Sequence, residues 1–241
     1  RSNCSCAETN FSSISFTTPP CEEPLGTPWT TTDIGGAQGT AINNYCGGSI
    51  DISSDGPPPS GANDQQFFAF QNFCDSLTIT TKVNSITDGG FAGIAFRESE
   101  APGSRMIALK LKKGKYVYRE VRSTTNGGKS TQQFFTTGHK WLRIVRNGDN
   151  FVGYSSGDGV IWQQHFSINL TVPSCIDAGL FVESTHVDSL ALGAFSNVSM
   201  VPSTSTVASP GGDVPTGEFP TGEGTSGYVI YPNPTKAAIN V

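Results

Sequence analysis

The chain has 241 residues, of which 36% are hydrophobic and 15% charged, with 28 Gly and 15 Pro. That profile fits a turn-rich β protein, and the length accommodates one large all-β domain with tails. Fifteen Lys and Arg against 20 Asp and Glu leave a net charge of −5. No basic run could track a phosphate backbone, and no apolar stretch reaches the roughly 18 to 20 residues of a membrane span, so nucleic acid and membrane insertion are both disfavoured.

Residues 1–26 form a Cys-rich, Ser/Thr/Pro-rich opening. Arg1-Ser2-Asn3-Cys4 lacks the apolar core of a signal peptide, and the expectation is that any export signal has been removed. Six cysteines, Cys4, Cys6, Cys21, Cys46, Cys74 and Cys175, make an even set without CxxC pairs. Disulfides are the favoured reading and buried free thiols the alternative; the six permit 15 pairings, and spacing does not choose among them. His139, His165 and His186 offer no close-spaced metal motif with any Cys, so no metal is expected there. A Ca²⁺ site of oxygen ligands would draw on Asp51, Asp55 or Asp64, although no dense Asp-x-Asp-x-Asp pattern supports one.

Residues 27–201 form the body, and apolar and polar side chains alternate with period 2 repeatedly between 48 and 200, as in Ser76–Val83, Phe91–Arg97, Tyr116–Val121, Leu142–Arg146 and Ala191–Val198. Helix-period stretches are absent. Asp88-Gly89-Gly90, Asn126-Gly127-Gly128, Asn147-Gly148-Asp149 and Gly157-Asp158-Gly159 read as hairpin turns, because Gly takes positive φ freely and Asn or Asp tolerates it. About ten to twelve strands at this spacing need two packed sheets to bury their apolar faces. The expected fold is all-β, a two-sheet antiparallel jelly-roll sandwich.

Several motifs within the sandwich invite a catalytic reading. Arg97-Glu98-Ser99-Glu100-Ala101-Pro102 is the nearest approach to paired acids on a strand, but Pro102 ends the run and a third acid is missing. An ion pair of Glu98 with Arg119 or Arg143 is the simpler expectation. Glu120 has no patterned mate. Gly153-Tyr154-Ser155-Ser156-Gly157 spells Gly-x-Ser-x-Gly, but Gly157-Asp158-Gly159 turns into another strand rather than a helix, and no His or Asp in the sequence around Ser155 suggests a triad. Gly35-Gly36-Ala37-Gln38-Gly39-Thr40 lacks the Lys of a phosphate loop and reads as a plain loop.

Binding is the better functional expectation. Tyr116, Tyr118 and Glu120 fall on one face of a strand, and Arg97 and Lys110 of neighbouring strands could join them in a polar and aromatic stripe suited to sugar. Trp141 and Trp162, flanked by Leu, Ile and Val, read as core.

Residues 202–227 are Ser, Thr, Gly and Pro with little apolar relief, a linker whose ordering burial could not offset. Residues 228–241 return to strand-like character around Tyr231-Pro232-Asn233-Pro234, as though a new module begins and is cut short.

Two resemblances extend these readings. Tyr231-Pro232-Asn233-Pro234, Thr235 and Ala238-Ile239-Asn240-Val241 after that linker resemble the opening of the C-terminal sorting domain of the type IX secretion system of Bacteroidota. The resemblance implies export through the periplasm to the cell surface or medium, with the type IX translocon and its outer-membrane shuttle as partners. Asp75-Ser76-Leu77 and Asp188-Ser189-Leu190 are similar to the O-glycosylation pattern of the same bacteria.

The body resembles concanavalin A-like, laminin-G-like sandwich modules, in particular the group related to a regulator of enolase. The matching stretches include Trp29–Gly35, Gly93–Ser99, Trp141–Gly148, Tyr154–Trp162 and Ala178–Val182. This implies a jelly-roll accessory module, often attached to secreted glycan-active proteins, with no single ligand. Ser156–Trp162 also resembles the Asp-box hairpin, whose Asp accepts backbone N–H groups in a structural role. The resulting expectation is a secreted or cell-surface non-enzymatic sandwich that binds glycan or another surface ligand, with a glycan hydrolase or lyase on the same fold as the alternative.

Overall fold

The computed structural model describes residues 20–57, 62–113, 116–186 and 189–202 and the backbone of 229–231. Cys4, Cys6, the 203–227 linker, and Pro232, Asn233 and Pro234 of the sorting motif lie outside these residues.

The strands are β1 (Glu22–Pro24), β2 (Thr30–Ile34), β3 (Gly39–Asn44), β4 (Ser49–Ser54), β5 (Gln66–Cys74), β6 (Leu77–Ile86), β7 (Gly90–Arg97) and β8 (Met106–Lys112). They continue with β9 (Tyr116–Arg122), β10 (Ser130–Phe135), β11 (Trp141–Asn147), β12 (Asn150–Ser156), β13 (Gln163–Asn169), β14 (Cys175–Ser184), β15 (Ala191–Pro202) and β16 (Val229–Tyr231). A nine-stranded sheet runs β1-β3-β4-β15-β6-β11-β12-β13, with β16 also paired to β15, and a seven-stranded sheet runs β10-β9-β8-β7-β14-β5-β2. Every pairing is antiparallel. The strand count exceeds the expected ten to twelve because short edge strands such as β1 and β2 carry little apolar signal.

The period-2 pattern puts Leu77, Ile79 and Val83 of β6 and Leu142 and Ile144 of β11 against Ile94 and Phe96 of β7, Ile107 and Leu109 of β8, and Leu180 and Val182 of β14, all buried. Three of the four Gly-rich turns close hairpins: β9–β10, β11–β12 and β12–β13. The fourth does not. Asp88-Gly89-Gly90 joins β6 of one sheet to β7 of the other, so it is a crossover between layers, a distinction that turn chemistry alone does not carry.

Two disulfides join distant segments. Cys21–Cys46 ties β1 to the loop after β3, and Cys74–Cys175 sits at directly opposed positions of β5 and β14. With separations of 25 and 101 residues, loop-closure entropy assigns them about 3.5 and about 4.7 kcal/mol.

The seven-stranded sheet is buried on its outer face as well. Ile34, Phe68, Phe70, Ala95, Met106, Ala108 and Phe181 form a second apolar cluster there. This explains why β7, β8 and β14 read as nearly continuous apolar runs.

Candidate functional site

On that outer face, alternation brings Tyr116, Tyr118, Glu120 and Arg122 of β9 to one side, because Val117 and Val121 between them enter the inter-sheet core. Register then fixes their neighbours. Tyr118 lies opposite Lys110, Lys110 opposite Gly93, and Tyr116 opposite both Lys112 and Phe135.

A chain of alternating charges crosses the face. Lys110 Nζ contacts Glu183 Oε2 at 2.5 Å and Glu120 Oε1 at 2.7 Å. Lys129 Nζ bonds Glu120 Oε2 at 2.8 Å and stands 3.4 Å from Asp64 Oδ1. Asp64 in turn accepts from Arg97 at 2.6 Å and from both terminal nitrogens of Arg122 at 2.7 and 2.8 Å. Asp64, Arg97, Arg122 and Glu183 are fully buried. Gly93 makes this route open: a Cβ there would stand 2.6 Å from the Lys110 Cβ, on the strand that Lys110 must cross to reach Glu183.

Burial alone would raise the Asp64 carboxyl, but Arg122, Arg97 and Lys129 outweigh it and hold it below the usual carboxylate range. Glu120 is likewise held down by Lys110 and Lys129 against its burial. Glu183 goes the other way, pushed up by burial. Among the described residues its Oε1 has no hydrogen-bond partner, nor has either side-chain polar atom of buried Gln66 on β5, the strand paired to β14.

Beside this floor stands an aromatic row. Tyr116 packs against Phe135 at 5.7 Å and Tyr118 at 6.4 Å between ring centroids, and Tyr118 meets Phe91 edge-on at 5.2 Å. Tyr116 is 39% and Phe135 62% exposed. Lys110 Nζ lies 4.3 Å over the Phe91 ring, linking row and floor.

The four residues expected to bind thus share one face, with different surroundings. Tyr116 is open and Tyr118 half-buried, Glu120 is nearly covered and ion-paired, and Arg97 is closed off among Asp64, Ser104 and the Ala101 carbonyl. Arg97 therefore fixes loops and presents nothing to solvent. The mate that Glu120 lacked in sequence is Glu183, 63 residues away and invisible to any spacing rule.

Other expectations are corrected. Glu98 pairs with Arg105, at 2.6 and 2.8 Å, instead of Arg119 or Arg143, because the turn at Ala101–Gly103 folds Arg105 back beside it. Trp141 and Trp162 are half-exposed and lie outside the core: Leu142 and Ile144 point inward, so Trp141 and Arg143 must point out. The Arg143 guanidinium stacks 3.8 Å over the Trp162 ring. Two histidines do meet Ser155, His139 Nδ1 at 2.7 Å and His165 Nε2 at 2.6 Å. Ser155 is fully buried, and no carboxylate orients either imidazole among the described residues, so the cluster links elements without forming a triad. Asp158 accepts from the backbone N–H groups of Val160 and Ile161, the structural role expected of the hairpin. The calcium candidates do not converge: Asp51 is bonded by Asn44 and Ser49, Asp55 by the Gln38 N–H, and Asp64 by arginines. No cluster of three or more potential metal-binding His, Cys, Asp or Glu occurs among the described residues.

No family model and no curated protein matches the chain. Solved structures similar to it include a functionally unknown protein from Saccharomyces cerevisiae, at 13% identity and TM-score 0.54, over 71% of this chain and 99% of that one. Others are the carbohydrate-binding module CBM66 from Bacillus subtilis (20%, TM-score 0.47, 72% and 95%) and a prokaryotic β-1,3-1,4-glucanase from a mouse hindgut metagenome (10%, 0.46, 73% and 95%). At these identities the likeness is one of fold. The chain is an all-β, two-sheet antiparallel jelly-roll sandwich. The two disulfides among the described residues fit an oxidising, extracellular setting.

Proposed function

We propose that this is a secreted or cell-surface, non-catalytic sandwich that binds carbohydrate on the outer face of the seven-stranded sheet. The observation that carries the reading is the aromatic row Phe135–Tyr116–Tyr118, part-exposed and edged by Lys112 and Gln133 at neighbouring register positions. Ring faces stack on sugar C–H surfaces and the flanking polar groups bond hydroxyls. The ionic chain beneath keeps β8, β9 and β14 in fixed relation, so the row is pre-organised. The resemblance to enolase-regulator-related modules agrees with an accessory role. A glycan panel followed by calorimetry tests it: Tyr116→Ala with Phe135→Ala should weaken binding about tenfold or more. A wild-type protein that binds no glycan sinks the reading.

One observation favours an enzyme as the second reading. Glu120 and Glu183 grip the same Lys110 and their acidities are pushed in opposite directions, a pattern seen in acid and nucleophile pairs. Against it, both carboxylates are ion-paired and nearly or fully buried. Release of reducing ends that Glu120→Gln abolishes would establish this alternative.

Export is proposed to follow the type IX route through residues 228–241, with Tyr231–Pro234 contacting the translocon and shuttle. Deleting 228–241 in a competent host should trap the protein in the periplasm; unchanged secretion would refute the route.

A further inference from the structure

The outer face of the nine-stranded sheet carries a second, different surface. Strands β6, β11, β12, β13 and β15 contain Lys82, Arg143 and Arg146 and no Asp or Glu at all, in a chain whose net charge is −5. Arg146 is buried and bonded to the carbonyls of Gly148, Pro173 and Ser174. Arg143 has no such commitment. Its Nε donates to Thr80 Oγ1 at 3.0 Å, its plane stacks on Trp162, and among the described residues no carboxylate or carbonyl accepts from its terminal nitrogens. Tyr154 and Thr80 are its register partners, and Trp141 lies two residues along β11, opposite Lys82.

The anchoring is unusually complete for a half-exposed arginine. Asp158 pins the 157–161 hairpin through its backbone N–H groups, and Gly159, at φ +80°, lies flat on the Trp141 ring, where a Cβ would come within 2.7 Å. Trp162 then turns back over Arg143. The guanidinium is thus oriented by Thr80 and Trp162, partly desolvated, and left with two parallel N–H donors, the geometry that takes a carboxylate bidentately. The half-exposed Trp162 indole beside it is an apolar wall against which a sugar ring can pack.

The geometry points to a second binding site here for an acidic saccharide, a uronic acid whose carboxylate is held by Arg143 while its ring lies against Trp162. The site is independent of the proposed glycan face on the other sheet. Oligogalacturonate is the probe, with the neutral galactose oligomer and a sulfated galactose oligomer as comparisons, read by calorimetry at low and high salt. Oligogalacturonate should bind the wild type and the Tyr116→Ala variant alike and weaken with salt. Arg143→Gln and Arg143→Lys should each reduce that binding about tenfold or more with unchanged melting temperature, since Lys keeps the charge but loses the fork. Binding of the neutral or sulfated oligomer that Arg143→Gln weakens as much as it weakens oligogalacturonate, or oligogalacturonate binding unaffected by Arg143→Gln, overturns the assignment, as does no oligogalacturonate binding by the wild type.

Discussion

The outer faces of the two sheets treat charge in opposite ways. On the seven-stranded sheet, Asp64, Glu120 and Glu183 alternate with Arg97, Arg122, Lys110 and Lys129, and most of these groups lie beneath the surface. On the nine-stranded sheet, Arg143 has an aromatic neighbour where the other face would have supplied a carboxylate. Each guanidinium buried on the first face is needed by the fold, because removing its partner leaves a charge in a low-dielectric setting. The guanidinium on the second is held in place but uncommitted, and such a group is available to a ligand. Charge content alone does not separate the two situations; partnership does.

The sharpest way to break this contrast is a pair of substitutions. Asp64→Ala should cost about 3–5 kcal/mol, since Arg97 and Arg122 then lose their shared anion. In a chain of this size that lowers the melting temperature by roughly 10 °C. Arg143→Ala should cost under about 1 kcal/mol, in line with exposed cation–π contacts. Equal losses in thermal unfolding would erase the distinction.

Gly93→Val is the next largest test. It should cost about 1–3 kcal/mol by overpacking, because the new side chain meets Lys110 and the Leu109 carbonyl. A neutral result in chemical denaturation would mean that the Lys110–Glu183 contact does not depend on that gap.

Asp158→Ala should loosen the hairpin by leaving the Val160 and Ile161 N–H groups without their acceptor. Hydrogen exchange would show the loss confined to 157–162, with the seven-stranded sheet unchanged.

A pH-dependent effect is expected at the edge where His165 meets Ser155. Burial, with His139 nearby, depresses the His165 imidazole from 6.5 to about 4. The folded state prefers the neutral ring, so its contribution is present above pH 6.5 and is lost as pH falls from there toward 4. The melting temperature of the wild type should therefore fall more steeply over that window than that of His165→Gln. Parallel curves would contradict it.

Much of the sandwich was legible because alternation is a local signal. β6, β7, β9, β11 and β15 were visible as runs of period 2, and the same rule put Tyr116, Tyr118 and Glu120 on one face before any register was known. The same alternation dictates the placement of Trp141: with Leu142 and Ile144 inward, Trp141 and Arg143 face out, a stronger constraint than the apolar context of the Trp. What stayed hidden was set by pairing across long separations. Glu183 reaches Lys110 because β14 lies beside β7 and β7 beside β8, and Asp64 meets two arginines from a loop whose sequence, Gly61-Ala62-Asn63-Asp64, gives no hint of a buried anion. The histidines at Ser155 come from a connection and an edge strand, so no motif around the serine could announce them.

One experiment bears most directly on the account: a single glycan-binding panel run on the wild type, on Tyr116→Ala/Phe135→Ala, and on Arg143→Gln. The wild type should bind glycans at both faces, Tyr116→Ala/Phe135→Ala should lose those held by the aromatic row while keeping oligogalacturonate, and Arg143→Gln should lose oligogalacturonate alone. Binding profiles that stay the same in all three proteins would contradict it.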